Sequence, residues 1–394
     1  MRNHDYDQVK AHLDELHASG STTLAPATFR QASAVYVDPE QHRREQAALF
    51  DRLPLLIACT SELGAPNAYV ARSAAGTPVI VARQPDGSVR AFLNSCRHRG
   101  TEVVWGEATG CARRFTCPYH GWTYGTDGRL LGITSAVGFP DVDRDTHGLV
   151  ALSCAERHGL IWVARRPGVR IDLDTFLGPM DAELEAMELD RFVVERTKEL
   201  SLAANWKLVM DGFMENYHVR FLHKDSFSPY IHSDRISFRP LGIHNRAVHP
   251  RKKYDPASHT SSEAFLGQVA ISYNLLPNTN LEWSGGHFEI YQSIPDPVRT
   301  DRCTVRLTLL VAPEQRDDTA RWDRLLGISE RIIVEEDFAV AEAAQRALNG
   351  GAAPPEVVYG RNEPPLHHFY TELATLLARS DAEAPAPPEV ATSA

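Results

Sequence analysis

The chain has 394 residues, 43% hydrophobic and 23% charged, the balance of a globular protein too long for one compact domain, so two domains are expected. A formal net charge of −10 argues against general nucleic-acid binding, six cysteines do not make a secreted disulfide scaffold, and no run of eighteen apolar residues offers a membrane span. The N-terminus MRNHDYDQVK has no apolar signal core, so the expected setting is the cytoplasm, with no nucleic acid and no membrane as partner.

In chain order, residues 1–50 read as a helical segment. Val9, Leu13 and Leu16 recur at helical spacing, and residues 39–52 contain few breakers. From Leu53 the pattern turns short and β-rich, with apolar segments at 55–58, 68–71, 79–82 and 91–93. Asp86-Gly87 and Asp127-Gly128 are hairpin-turn signals. An antiparallel β domain is expected over 51–170, closing on a strand at 161–164, with Pro167 and Gly168 opening a linker. A second domain over 171–380 mixes helices and long strands. Helices are expected at 205–217, at 321–348 as one long element, and at 366–377; strands are expected at 268–276, 286–294 and 302–312. The Ala- and Pro-rich tail, 381–394, reads as disordered.

Two pairs of ligand-type residues stand in the β domain: Cys96-x-His98 and, eighteen residues on, Cys117-x-x-His120. Two thiolates and two imidazoles suit an iron–sulfur cluster or a tetrahedral zinc. Zinc ribbons keep like ligands paired, which mixed Cys/His pairs do not. Cys59, Cys111, Cys154 and Cys303 show no pairing pattern, and Cys111 reads as a spare buried thiol. The flanking residues, CRHRG and CPYHGW, resemble the Rieske [2Fe–2S] site, in which two cysteines hold one iron and two histidines the other.

A second constellation lies in NWKLVMDGFMENYHVRFLH, residues 205–223. His218 and His223 are five residues apart, so on a regular helix their rings would diverge by about 140°. The helix is therefore expected to end or bulge there. Downstream, Glu335-Glu336-Asp337 lies within the long helical stretch; two histidines and one carboxylate make the facial triad of a mononuclear non-haem iron oxygenase.

The order of these motifs resembles the α subunits of Rieske non-haem iron oxygenases over residues 40–380. The resemblance implies an α+β fold: an N-terminal antiparallel β Rieske domain, then a helix-grip (START-like) catalytic domain with an antiparallel sheet of mixed strand lengths and long helices. It implies a [2Fe–2S] cluster on Cys96, His98, Cys117 and His120, and Fe(II) on His218, His223 and Asp337, with Glu336 the competitor for the third place. It also implies a homotrimer in which a carboxylate three residues before the first iron histidine bridges one subunit's Rieske histidine to its neighbour's iron histidine. That position is usually aspartate. Here it is Glu215, as in carnitine- and betaine-type oxygenases that act on quaternary ammonium compounds, and the nearest aspartate is Asp211.

No G-x-G-x-x-G fingerprint is present, so electrons from NAD(P)H are expected through a separate flavin reductase, with or without a ferredoxin. The expected reaction is O2-dependent hydroxylation, oxidative demethylation or cleavage of a small organic substrate, a quaternary ammonium compound among the candidates. The alternatives are an aromatic-ring dihydroxylating dioxygenase α subunit, a Rieske-type electron carrier and a zinc-stapled binding protein. Tyr230, His232, Phe265, Trp283, Phe288 and Tyr291 are the candidate pocket residues. The basic run from Arg220 to Lys253 is a candidate attractor for a carboxylated substrate or an acidic ferredoxin.

Overall fold

The structure, a computed structural model, describes residues 3–259 and 261–383. Helix α1 (Asn3–Ser19) buries Val9, Leu13 and Leu16, as their spacing requires. Strand β1 (Phe29–Ala32) follows, then helix α2 (Pro39–Glu45), which is capped by Asp38 and continues through a π-helical turn to Phe50. A helical reading of the first fifty residues misses β1. Its four residues, FRQA, carry no apolar pattern, and it exists by pairing with residues 356–359.

The β domain comprises β2 (Leu55–Cys59), β3 (Ala68–Ala74), β4 (Thr77–Arg83), β5 (Val89–Leu93), β6 (Ala108–Cys111), β7 (Arg114–Thr116), β8 (Thr123–Gly125), β9 (Leu130–Gly132), β10 (Ala151–Leu152), β11 (Cys154–Arg157) and β12 (Leu160–Val163). They form three antiparallel sheets, in the orders β10-β5-β4-β3-β6, β11-β12-β2 and β7-β8-β9. Asp86-Gly87 turns β4 into β5, and Asp127-Gly128 turns β8 into β9. Cys111 is exposed at the end of β6 rather than buried, because β6 is an edge strand.

The second domain begins with α3 (Leu173–Leu177), α4 (Met180–Met187), β13 (Val193–Leu202) and α5 (Trp206–Phe213). It continues through β14 (Ser237–Leu241), β15 (His244–Pro250), α6 (Ser262–Leu266), β16 (Val269–Leu275), β17 (Thr279–Trp283), β18 (His287–Pro295) and β19 (Cys303–Val311). It ends with α7 (Thr319–Ile332), α8 (Ala339–Asn349), β20 (Glu356–Tyr359) and α9 (Pro364–Glu383). The strands β13-β19-β18-β17-β16-β15-β14 form one antiparallel sheet. Side chains alternate across it. Leu281, Phe288 and Ile290 pack with α1, α3 and α4, while Tyr291, Leu307 and Leu309 share a core with α5 and the C-terminal helices.

The stretch 321–348 is helical throughout but not one α-helix: α7 passes through a π-helical turn, Ile333–Phe338, before α8. The expected disordered tail starts inside α9, which runs to Glu383; residues 384–394 lie outside the described residues. The two domains are tied by Arg306 on β19. Its guanidinium is 2.7 Å from both Glu107 of the β domain and Glu199 on β13. Among the described residues no helix is long and apolar enough to cross a membrane.

Candidate metal centres and substrate cavity

The two Cys/His loops of the β domain share one backbone design. In each, the cysteine N–H donates to the carbonyl five residues on (Cys96 to Thr101, Cys117 to Trp122, both 2.8 Å), and the glycine four residues on donates back to the cysteine carbonyl (Gly100 at 2.9 Å, Gly121 at 3.0 Å). Both glycines have positive φ, 79° and 72°, which a side chain would strain. The paired loops bring Cys96 beside Cys117, both buried, and set the His98 and His120 rings 4.6 Å apart.

His98 stacks flat on Trp122 at 4.9 Å, and its Nδ1 is buried with no hydrogen-bond partner among the described residues. An unpartnered buried imidazole nitrogen in a loop pair that also carries two buried cysteines fits a [2Fe–2S] group. Tyr124 sits behind them: its oxygen accepts from the Arg97 N–H at 3.0 Å and lies 3.2 Å from Cys96 Sγ, toward which the hydroxyl would be the donor once Cys96 is a thiolate.

In the second domain α5 ends at Phe213, and residues 214–223 wind through turns, including a 3-10 turn from His218 to Arg220. This break in the helix swings both imidazoles to one side, as their five-residue spacing demands. Nε2 of His218 and Nε2 of His223 are 3.1 Å apart, and Asp337 Oδ1 lies 3.5 Å from the first and 3.1 Å from the second. The three are the group of possible metal ligands found among the described residues. Three donor atoms converging from one side fit a facial triad for iron(II).

The other ring nitrogens are also held. Glu215 accepts from His218 Nδ1 and from the backbone N–H groups of Tyr217 and His218. Glu336 Oε2 is 2.6 Å from His223 Nδ1 and takes a hydrogen bond from Ser226 Oγ at 2.8 Å. Glu336 therefore stands behind His223, not with Asp337. Asp211 faces elsewhere: it is buried among three tyrosine hydroxyls, Tyr36 (2.7 Å), Tyr359 (3.1 Å) and Tyr370 (2.8 Å), and burial pushes its carboxyl up to about 7.

A cavity of about 220 Å³ opens from this cluster toward the sheet, bounded by the segment after α5, by β15–β18 and by α7 with its π turn. Of the six candidate pocket residues only Tyr291 lines it. Trp283 and Phe288 point to the opposite face of the sheet, Phe265 belongs to the core there, Tyr230 is exposed, and His232 packs edge-on against His17. The missed lining residues include four polar ones on the sheet, His249, Ser272, Glu282 and Glu289, and apolar ones such as Phe213, Phe227 and Ile333. Period-2 alternation on β17 and β18 was the available signal. The basic run is not one surface either, since Arg246 is buried against Glu183, Arg235 contacts His17 and Arg251 donates to the Ser284 carbonyl.

A β domain with a mixed Cys/His loop pair, joined to a helix-grip domain with two histidines and a carboxylate, defines a two-centre oxygenase. Comparison with known proteins gives the same class. Residues 54–142 match the Rieske [2Fe-2S] domain and residues 189–379 the ring hydroxylating alpha subunit catalytic domain. The chain is 32% identical to the carnitine monooxygenase oxygenase subunit of Acinetobacter baumannii, over 82% of this chain and 84% of that one. It is 28% identical to the glycine betaine monooxygenase oxygenase subunit of Chromohalobacter salexigens, over 89% and 86%. Among solved structures it resembles the quaternary ammonium Rieske monooxygenase CntA, with a TM-score of 0.76 at 20% identity, covering 89% of this chain and 96% of that one. The chain belongs to the Rieske oxygenase α-subunit family. It is the oxygenase component of a multicomponent system that uses O2 on a small-molecule substrate, with a Rieske [2Fe–2S] cluster and non-haem iron as cofactors.

Proposed function

We propose that Cys96, His98, Cys117 and His120 hold the cluster, that His218, His223 and Asp337 hold the iron, and that the enzyme oxidises a quaternary ammonium compound. The observation that carries the site reading is the convergence of two histidine Nε2 atoms and one Asp337 oxygen at the mouth of a cavity. When bound, the cluster would supply single electrons and the iron would activate O2. Glu215 and Glu336 fix the tautomers of the two histidines by accepting their Nδ1 protons, so each Nε2 lone pair faces the cluster of ligands. The cavity keeps substrate beside them, screened from bulk water by Phe213, Phe227 and Ile333.

The assembly we propose is a homotrimer, in the cytoplasm, fed from NAD(P)H by a separate flavin reductase. A carboxylate offers about four acceptor positions, and Glu215 uses three within its own chain. The fourth is free for a Rieske histidine of a neighbouring copy. Both domains expose apolar side chains: Trp105 (73% exposed), Tyr119 and Val137 in the Rieske domain, and Tyr217 and Phe221 (72%) next to His218 in the catalytic domain. Closed head-to-tail contact would cover both sets.

The glutamate at position 215 and the activities named for the two relatives support the substrate class. A screen for NAD(P)H- and O2-dependent turnover with a surrogate reductase tests it. Product from a quaternary ammonium compound supports the reading; turnover confined to neutral arenes overturns it in favour of an aromatic-ring dioxygenase.

A further inference from the structure

Two glutamates face each other in the floor of the cavity. Glu282 on β17 and Glu289 on β18 stand directly opposite each other in register, with Ser272 on β16 opposite Glu282 on its other side. Like charges directly opposite on adjacent strands destabilise a sheet. Both side chains line the same cavity as His218, His223 and Asp337.

Glu289 is held by the Tyr291 hydroxyl and by His287 Nε2 at 3.2 Å. Glu282 has only the neutral side chains of Ser272 and Asn280, so burial, reinforced by the Glu289 charge, pushes its carboxyl up to about 8. No lysine or arginine lines the cavity among the described residues. His249 lines it too, is kept neutral by burial, and has a buried Nδ1 without a partner among the described residues, a polar demand the protein leaves unmet. Of the carboxylates facing the cavity, Glu215 is engaged by His218, and Asp337 by the two histidines. Glu289 has the His287 imidazole beside it, whereas Glu282 meets no cationic side chain in the cavity lining among the described residues.

We propose that Glu282 and Glu289 form a cation subsite that fixes the charged nitrogen of the substrate against the sheet, beside the stacked rings of Phe213 and Tyr291, and so decides which molecules reach the iron ligands. The proposal rests on reading the cavity as the oxygenase's substrate site. An ammonium group compensates both carboxylates and also lies against an aromatic face. A neutral hydrocarbon leaves the pair buried and uncompensated.

Binding then couples to protons. The titratable groups facing Glu282 are Glu289, His287 and Tyr291 from β18, His249 from β15, Asp337 from the π turn, and Glu215, His218 and His223 from the segment after α5. Below about pH 8 the free pair holds a proton that a bound cation expels, so cation affinity rises with pH, by at most about tenfold per unit, and levels off above about 8.

The test is titration calorimetry on the metal-loaded holoenzyme with choline and with its uncharged isostere, 3,3-dimethylbutan-1-ol. Choline is expected to bind at least about tenfold more tightly at pH 8. At pH 7 it should release a proton, read from buffers of different ionisation enthalpy. Glu282→Gln should bring the two ligands to within about threefold and abolish proton release. Glu282→Asp should keep the preference, and the visible spectrum of the cluster reports that each variant is folded. Equal binding of the isostere by the unaltered protein, an undiminished preference in Glu282→Gln, or binding of neither ligand would overturn the subsite. A holoenzyme that consumes O2 with substrate but shows no cation preference refutes the subsite alone. A chain that assembles neither cluster nor iron refutes the oxygenase reading beneath it.

Discussion

Glu336 and Asp337 are adjacent in sequence yet address the two nitrogens of one ring: Asp337 Oδ1 lies 3.1 Å from His223 Nε2, and Glu336 Oε2 lies 2.6 Å from His223 Nδ1. The π-helical turn from Ile333 to Phe338 makes this possible by widening the helix where both carboxylates leave it. One neighbour is placed with the converging donor atoms, while the other orients the ring. Asp337→Ala is expected to lose the mononuclear iron and all turnover while the cluster spectrum stays intact. Glu336→Gln is expected to keep iron with affinity weakened about 10- to 100-fold. Metal analysis after dialysis against a graded chelator separates the two; iron lost from Glu336→Gln but kept in Asp337→Ala would reverse the assignment.

The Tyr124 hydroxyl lies 3.2 Å from Cys96 Sγ, and with Cys96 as a thiolate ligand it would donate to the sulfur, which favours the reduced, more negative state of a cluster. Tyr124→Phe should lower the reduction potential. A net bond of about 1 kcal/mol corresponds to roughly 40 mV for one electron. Redox titration followed by circular dichroism measures it, and an unchanged potential would show that the hydroxyl serves only the loop.

Asp211 gives a stability prediction. Its folded carboxyl is raised to about 7 by burial, so between about pH 4 and 7 the folded protein holds a proton that the unfolded chain releases. Stability from this group is therefore full below about pH 4 and lost as pH rises through 7, at most roughly 4 kcal/mol in all. Asp211→Asn keeps an acceptor for the tyrosines without the charge. The difference in thermal midpoint between variant and parent should shift in the variant's favour from pH 5 to pH 7.5; no shift would mean the tyrosine hydroxyls already compensate the charge.

The proposed trimer is testable through the exposed ring of Phe221 beside His218. Phe221→Glu adds a charge where a neighbouring copy is expected. Light scattering should show a trimer, or a multiple of it, for the unaltered protein and smaller species for the variant, with turnover falling in parallel. A fully active monomer would contradict the intersubunit arrangement.

Much of this was legible in the sequence because the chemistry is local. The Cys/His loops declare themselves within five residues each, and the spacing of His218 and His223 already required a break in the helix, which comes at Phe213. Other features depend on partners far away in the chain. Strand β15, HNRAVHP, is fully buried yet polar; its Asn245 Oδ1 accepts from Asn274 Nδ2 on the neighbouring strand and Asn274 Oδ1 accepts from Asn280 Nδ2, both at 2.8 Å. β1 is a strand only through β20. Glu282 and Glu289 carry no motif, and only strand register sets them face to face over a cavity. Of the aromatic candidates, alternation put Trp283 and Phe288 on the opposite face of the sheet, while Tyr230, His232 and Phe265 lie off its strands.

Single-turnover kinetics on Glu215→Gln tests the central claim, that this side chain couples the two centres without ligating either. It accepts the Nδ1 proton of His218, and Asp211, sealed among its tyrosines, cannot replace it. The reduced cluster is mixed with O2 and a turnover-competent substrate, and its reoxidation is followed by absorbance. Glu215→Gln, with cluster and iron content unchanged, should reoxidise about 10- to 100-fold more slowly than the unaltered protein, and Glu215→Asp should lie between them. A Glu215→Gln rate equal to the parent's would contradict the account.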